Sequence, residues 1–280
     1  MRALAIVICA LLACMSCARP AWAGFPSDVP DRFQVQIGGT LTTVDTSVGL
    51  GLKGGRLGAT VVFEDALDLP ESKTIWRADG LWRFGDHHTL DFGYVDLDRE
   101  NSAEIAEDIQ FGKYTFLAGS RVTGRLESRF VYAAYRHDFL KLDQVRIGGT
   151  AGASVMTLGA SLFASVGIVD STGTQLERGG EVGEEITFPV PLLGLRVDWA
   201  VSQRGAIEFY ARFFYLNTST LRGGMSENAF RYYYYPLRQL GLGIGFDKIS
   251  INIPKFKSSD YVVRANYTIQ GLSAYVRYVF

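Results

Sequence analysis

Beyond residue 17 this chain has no cysteine: Cys9, Cys14 and Cys17 are its only three. Disulfides and thiol chemistry are therefore excluded for everything that follows. Histidine is as scarce, with only His87, His88 and His137. No serine has an evident histidine partner. Past the first residues no apolar run is long enough for a membrane-spanning helix, and convincing helical periodicity is almost absent. Basic excess is missing too. The 28 Lys+Arg stand against 29 Asp+Glu, so nothing suggests a nucleic-acid partner. There is no internal repeat, low-complexity tract or Pro/Ser-rich linker, which leaves one domain.

What is present begins with an export signal. Met1-Arg2 precedes an apolar run from Ala3 to Met15, and Ala21-Trp22-Ala23 precedes Gly24. A basic start, a short apolar core and an A-x-A site predict a signal peptide over 1–23, cleaved after Ala21-x-Ala23. Leu11-Leu12-Ala13-Cys14 also resembles a lipobox, the alternative being a lipid-modified Cys14. Cleavage after Ala23 removes Arg2 and Arg19, leaving 26 Lys+Arg against 29 Asp+Glu.

The remainder, 24–280, alternates with the period of strands. Phe33, Val35, Ile37 and Leu41 mark the first. Trp76, Ala78, Trp82 and Phe84 oppose Arg77, Asp79 and Arg83 in the next. Leu90, Phe92 and Tyr94 oppose Asp91 and Gly93. Leu126, Phe130, Tyr132 and Ala134 oppose Arg125, Glu127 and Arg129. Similar strands start near Val145, Leu193, Ala206, Phe230, Leu240 and Asp260. Short turns fall near residues 85, 142, 204 and 238, and long polar segments are expected between them: Thr46–Lys73, Glu100–Arg121, Asp170–Glu185 and Thr218–Asn228. The count is ten. It becomes twelve if Arg56–Ala66 is a membrane strand with a partner, and eight if two strands are misread.

The segment 271–280, GLSAYVRYVF, places Leu272, Ala274, Val276, Tyr278 and Phe280 on one face and Arg277 on the other. It resembles the closing strand of Gram-negative outer-membrane β-barrels, where residues at the positions of Val276, Tyr278 and Phe280 form an assembly signal. The stretch WRADGLWRFGDHHTLDFGY and the GLGIGF strand are similar to those of a family of largely uncharacterised outer-membrane barrels on the OmpW and OmpA plan. That resemblance implies fold and location: an all-β, transmembrane, antiparallel up-and-down barrel in the outer membrane. It implies assembly by the barrel machinery and periplasmic chaperones, and contact with outer-membrane lipid and lipopolysaccharide.

Sidedness fits. Arg or Lys facing lipid at mid-bilayer costs about 2–4 kcal/mol, and the strand arginines fall opposite the apolar face. Trp82, Phe84, Trp199, Tyr232–Tyr235, Tyr278 and Phe280 gather at one end, as an interfacial girdle would. Tyr94 and Tyr215 are candidates for the other girdle. The expected lumen ladder is Arg77, Asp79, Arg83, Asp91, Arg125, Glu127, Arg129, Arg146, Arg196, Asp198, Glu208, Arg212 and Arg277. A barrel of eight to ten strands is filled by such side chains. The expectation is a structural or surface-interaction role, no enzyme activity and no cofactor. The alternatives are a narrow channel for small anionic or amphipathic solutes and, more remotely, an envelope-lipid-modifying enzyme. His88 and His137 are expected as neighbours at a turn, without a third metal ligand. Gly243 is expected beside Tyr275, making room for an inward ring.

Overall fold

The computed structural model describes residues 32–280 apart from 53–59, 68–71, 112, 171–172, 176–178, 218, 220 and 258–260. The expected signal peptide, Ala21, Ala23 and Cys14 lie outside the described residues. Ten long strands close a barrel: β1 (Phe33–Leu52), β3 (Ser72–Arg83), β4 (His88–Glu104), β7 (Arg121–Lys141), β8 (Val145–Ala164), β10 (Gly180–Ser202), β11 (Gly205–Asn217), β12 (Leu221–Leu237), β13 (Leu240–Lys257) and β14 (Tyr261–Val279). Each pairs antiparallel with its neighbours in chain order. β14 returns to β1 in unbroken register from Gln34↔Val279 to Leu52↔Tyr261. Closure leaves no open edge, which is what lets strands sit in lipid at all.

The smaller elements are at the upper end. β2 (Thr60–Val62) pairs with β1 only at Ser47–Gly49 and runs into one helical turn, α1 (Phe63–Leu67). Of the alternative membrane strand over Arg56–Ala66, the described residues form only β2 and α1, and the barrel closes with ten strands. β5 (Ile109–Phe111), β6 (Tyr114–Phe116) and β9 (Ile168–Asp170) form a separate three-stranded sheet. Its Ile109, Phe111, Phe116 and Ile168 are buried with Ile105 in the same core as the upper barrel. It covers the upper mouth.

At the lower end the turns are tight, at 84–87, 142–144, 203–204 and 238–239. At the upper end the expected long loops are largely strand. β1 runs to Leu52, β4 to Glu104, and β10 starts at Gly180 rather than after Glu185. Of the expected loop Thr218–Asn228, Leu221 to Asn228 is strand, because β12 already begins at Leu221. The barrel wall continues upward instead of giving way to coil.

That upper extension has the opposite polarity to the lower half. On β13, Leu242, Ile244 and Phe246 point out, exposed by 45–67%, while Gly241, Gly243 and Asp247 point in. From Lys248 onward Lys248 and Asn252 are outside, and Ile249, Ile251 and Ile253 are buried inside. The same reversal occurs on β14 between Gln270 and Leu272, on β4 between Tyr94 and Asp96, and on β7 between Arg129 and Val131. Below the reversal an apolar outer belt surrounds a polar interior. Above it a polar outer wall surrounds an apolar core that includes Val44, Leu97, Leu126, Phe130, Met156, Phe188, Phe214 and Ile251. The belt on β14 runs from Leu272 to Phe280. Nine residues of tilted strand rise about 20–25 Å, close to the height of a barrel's lipid-facing band. Trp76, Tyr94 and Tyr215 are exposed at its upper edge. Trp82, Phe84, Tyr135, Tyr232 and Tyr278 are exposed at its lower one.

This reversal corrects one expected face. Leu126, Phe130, Tyr132 and Ala134 point into the barrel, each no more than 8% exposed. Arg125, Glu127 and Arg129 are on the outer wall above the belt, with Arg125 and Arg129 side chains 46% and 50% exposed. They do not belong to the lumen ladder. Two solvents along one strand forced the exchange: outward residues meet lipid below residue 131's level and water above it.

The reversal is directly testable on β13. Ile244→Lys should cost about 2–4 kcal/mol. Ser250→Lys, outward but above the belt, should stay within about 0.5 kcal/mol. Urea unfolding from lipid vesicles reads both, and equal losses would contradict the boundary.

Candidate functional site

The lower interior is a hydrogen-bonded layer to which β1, β3, β4, β7 and β10–β14 contribute side chains. Alternation brings one inward side chain from each strand every second residue, so charges far apart in sequence converge. Asp79 on β3 accepts from Arg77 Nε at 2.8 Å, from Gln36 on β1 at 2.9 Å and from the Tyr132 hydroxyl on β7 at 2.9 Å. Glu227 on β12 accepts from Arg77 at 2.5 Å, the Tyr210 hydroxyl at 3.0 Å and Arg212 at 3.3 Å. Glu208 on β11 takes Arg196 at 2.5 Å and Arg277 at 2.7 Å. Asp247 on β13 takes Arg231 at 2.6 Å and the Tyr275 hydroxyl at 2.7 Å. Asp198 on β10 takes Arg196 and Arg136, both at 2.9 Å.

Tyrosine rings fill the spaces between the charges. The Arg212 guanidinium lies between Tyr132 and Tyr210, 4.3 and 4.5 Å from their centroids. Arg231 lies 4.2 Å from the Tyr275 ring and Arg277 3.6 Å from that of Tyr233. Such contacts add attraction while keeping water out. Glycine makes the rings fit. A Cβ on Gly38 would strike the Tyr275 ring, and one on Gly243 the Tyr233 ring. Gly243 does pair with Tyr275 in the ladder, as its spacing predicts, but the ring it accommodates is that of Tyr233, next door on β12.

Of the expected ladder, Arg77, Asp79, Asp91, Arg196, Asp198, Glu208, Arg212 and Arg277 converge in this layer. Arg83 and Arg146 lie lower, around a vestibule at the bottom mouth with Tyr233, Tyr235 and Arg238. Its cavity volume is about 60 Å³, room for a few waters. Val276, Tyr278 and Phe280 sit outward in the apolar belt, with the Tyr278 and Phe280 rings 4.7 Å apart. The sequence reading missed Gln36, Arg136, Asp138, Glu227, Arg231 and Asp247, put Tyr132 on the apolar outer face and took Tyr233 for part of the interfacial girdle. Their signal was available in the glycines: Gly93, Gly243 and Gly38 each sit beside an inward tyrosine. With these added, six arginines (77, 136, 196, 212, 231, 277) meet seven carboxylates (79, 91, 138, 198, 208, 227, 247) in the layer. The arginine excess expected for the lumen disappears.

The histidines lie at the lower rim. His88 pairs with His137, their rings 5.4 Å apart. His87 Nδ1 is 2.6 Å from the Asp138 carbonyl and His88 Nδ1 is 2.6 Å from the Tyr135 hydroxyl. Among the described residues no group of three or more His, Cys, Asp or Glu is arranged to hold a metal.

No protein-family model matches the sequence, and no curated protein matches it either. Solved structures do share its fold. The outer membrane protease OmpT from Escherichia coli superposes with a TM-score of 0.59 at 12% identity, covering 90% of this chain and 97% of that one. The toluene transporter TodX of Pseudomonas putida gives a TM-score of 0.38 at 8% identity over 90% and 91% of the two chains. OprG from Pseudomonas aeruginosa gives 0.38 at 9% identity over 91% and 100%. The likeness to OmpT is one of fold, and the other two superpositions are too loose to carry an argument. The chain has the fold of small outer-membrane β-barrels, closed with ten strands.

Removing one anion from the layer leaves its partners charged and buried. Glu227→Ala leaves Arg212 without its carboxylate and Arg77 with Asp79 alone, and should destabilise the barrel by about 3–5 kcal/mol. The midpoint of urea unfolding from lipid vesicles measures this, and an unchanged midpoint would contradict the network's role.

Proposed function

We propose that this protein works as a sealed outer-membrane barrel with a structural or surface-interaction role and no enzyme activity. The observation that carries the reading is the double closure of the interior. The charge-and-tyrosine layer fills the barrel at the level of the belt, and the apolar core under the β5–β6–β9 sheet fills it above. Ions would have to disrupt the first and shed their water in the second, which is costly. The partners that go with this reading are outer-leaflet lipid and lipopolysaccharide, with the barrel assembly machinery and periplasmic chaperones during biogenesis.

A second reading, a narrow channel for small anions, draws support from the bottom vestibule. Arg83, Arg146, Arg196, Arg238 and Arg277 line it with only Asp198 and Glu208 as acids. That excess would concentrate anions at the mouth. It requires both closures to move.

Membrane fractionation with boiled and unboiled gel samples tests location and closure together. The expected result is an outer-membrane band that shifts on boiling. In planar bilayers the purified protein should show no stepwise conductance. Steps with anion preference would replace the sealed-barrel reading with the channel.

A further inference from the structure

Above the apolar belt the outer wall is electrically uneven. On β4, β7 and β10 the exposed residues include Asp98, Glu100, Glu181 and Glu185. Two of the three exposed cations there are already engaged: Arg125 Nη2 is 3.0 Å from Asp98 and 2.8 Å from Glu127, and Arg129 Nε is 3.9 Å from Asp96; the third, Arg121, stands opposite Glu104 in the ladder. The outward face of β12, β13 and β14 is different. Just above Phe246, Lys248 stands between Asn228 and Gln270. Higher, Asn252 pairs with Asn266. At the top Arg222 pairs with Lys255, and Arg264 follows on β14. Among the described residues this face has no outward carboxylate, and its four cations make no ion pair. Asp45 on β1, opposite Thr268, is the first acid at its border.

The length of the strip narrows its partner. Lys248 pairs with Gln270, and Arg264 is six residues further up β14. At about 3.3 Å per residue that is roughly 20 Å of tilted strand. The polar layer of an ordinary phospholipid leaflet is only about 5–8 Å deep. An occupant must combine acyl chains for the belt below, hydroxyls for an amide-rich middle, and phosphates at two heights.

We propose that the outward face of β12–β14 above the belt is a docking strip for a phosphorylated glycolipid of the outer leaflet. Its acyl chains lie against Ile244, Phe246 and Leu272. Its sugars meet Asn252 and Asn266. Its phosphates meet Lys248 at the belt's edge and Arg222, Lys255 and Arg264 at the rim. Phosphate suits these cations, which have no competing carboxylate, better than it suits the paired arginines of the opposite wall. The inference rests on the outer-membrane reading.

The test uses full-length mature protein, delipidated and refolded in detergent. Heat-modifiability is checked first, and its absence would defeat the barrel reading rather than this one. Purified lipopolysaccharide, the same material with its phosphates removed, and phosphatidylglycerol are then titrated. Lys248→Gln with Arg264→Gln should weaken lipopolysaccharide binding at least tenfold, at about fivefold per basic residue. Arg125→Gln with Arg129→Gln should change it less than twofold. Dephosphorylated material and phosphatidylglycerol should bind the wild type weakly. Should the double variant not fold, Lys248→Gln alone should still give about a fivefold loss. Unchanged binding by the strip variants, an equal loss on the opposite wall, or equal affinity for either control lipid would overturn the proposal.

Discussion

A strand that passes from lipid into water must change which of its faces is apolar, and everything else in this molecule follows from where that change occurs. The lipid cannot hydrogen-bond, so the wall closes and its outward side chains are apolar for the height of the belt. Above the belt water takes the place of lipid outside, and burying apolar surface inside becomes favourable again. On β13 the exchange takes a single step, at Asp247-Lys248: one points in, the next points out. A short barrel ending at the membrane would need no such step. Here the wall continues, so the lower half is built like a membrane protein and the upper half like a soluble one.

The lower interior then has to be polar and yet full. A ten-stranded barrel is narrow enough for side chains to span, and arginines span it best: Arg77 on β3 reaches Glu227 on β12, and Arg277 on β14 reaches Gln36 and Glu208. Buried charge is tolerable because each guanidinium meets carboxylates, amides or tyrosine hydroxyls. Tyrosine supplies bulk along with the polar tip, and inward glycines leave the room its ring requires. The result is nearly balanced in charge. On the sealed-barrel reading that balance matters, because a closed layer with no strong excess of either sign gives a permeating ion little reason to enter. The apolar storey above adds a second, chemically opposite obstacle.

Much of this was legible in the sequence. Alternation in segments such as Lys73–Phe84 and Gly271–Phe280 gave the strands, and four tight turns gave the count of ten and the lower end. The neighbouring His88 and His137 and the pairing of Gly243 with Tyr275 followed from register alone. What misled was the assumption that each strand has one apolar face along its whole length. Val122–Phe139 is apolar at even positions up to Phe130 and at odd positions from Val131, so a single phase put Arg125, Glu127 and Arg129 inside and Tyr132 outside. The same phase change falls within Leu192-Leu193 and at Gln270-Gly271. Glu227 and Asp247 were lost for a related reason. Both lie where the apolar pattern pauses at the boundary between two solvents: Glu227 fell inside the expected loop Thr218–Asn228, and Asp247 just past Phe246, the last alternating residue noted in its strand.

The most direct test of that boundary exploits the lack of cysteine after residue 17. Single cysteines placed one at a time from Leu242 to Asn252 would carry a nitroxide label in vesicles, with oxygen and a polar nickel complex as paired relaxants. Even positions up to Phe246 should be open to oxygen and closed to nickel. Those from Lys248 to Asn252 should reverse that preference, and the odd positions should be shielded from both. Lipid-like accessibility continuing through Ser250 and Asn252, or nickel reaching the labels at 242 to 246, would contradict the account.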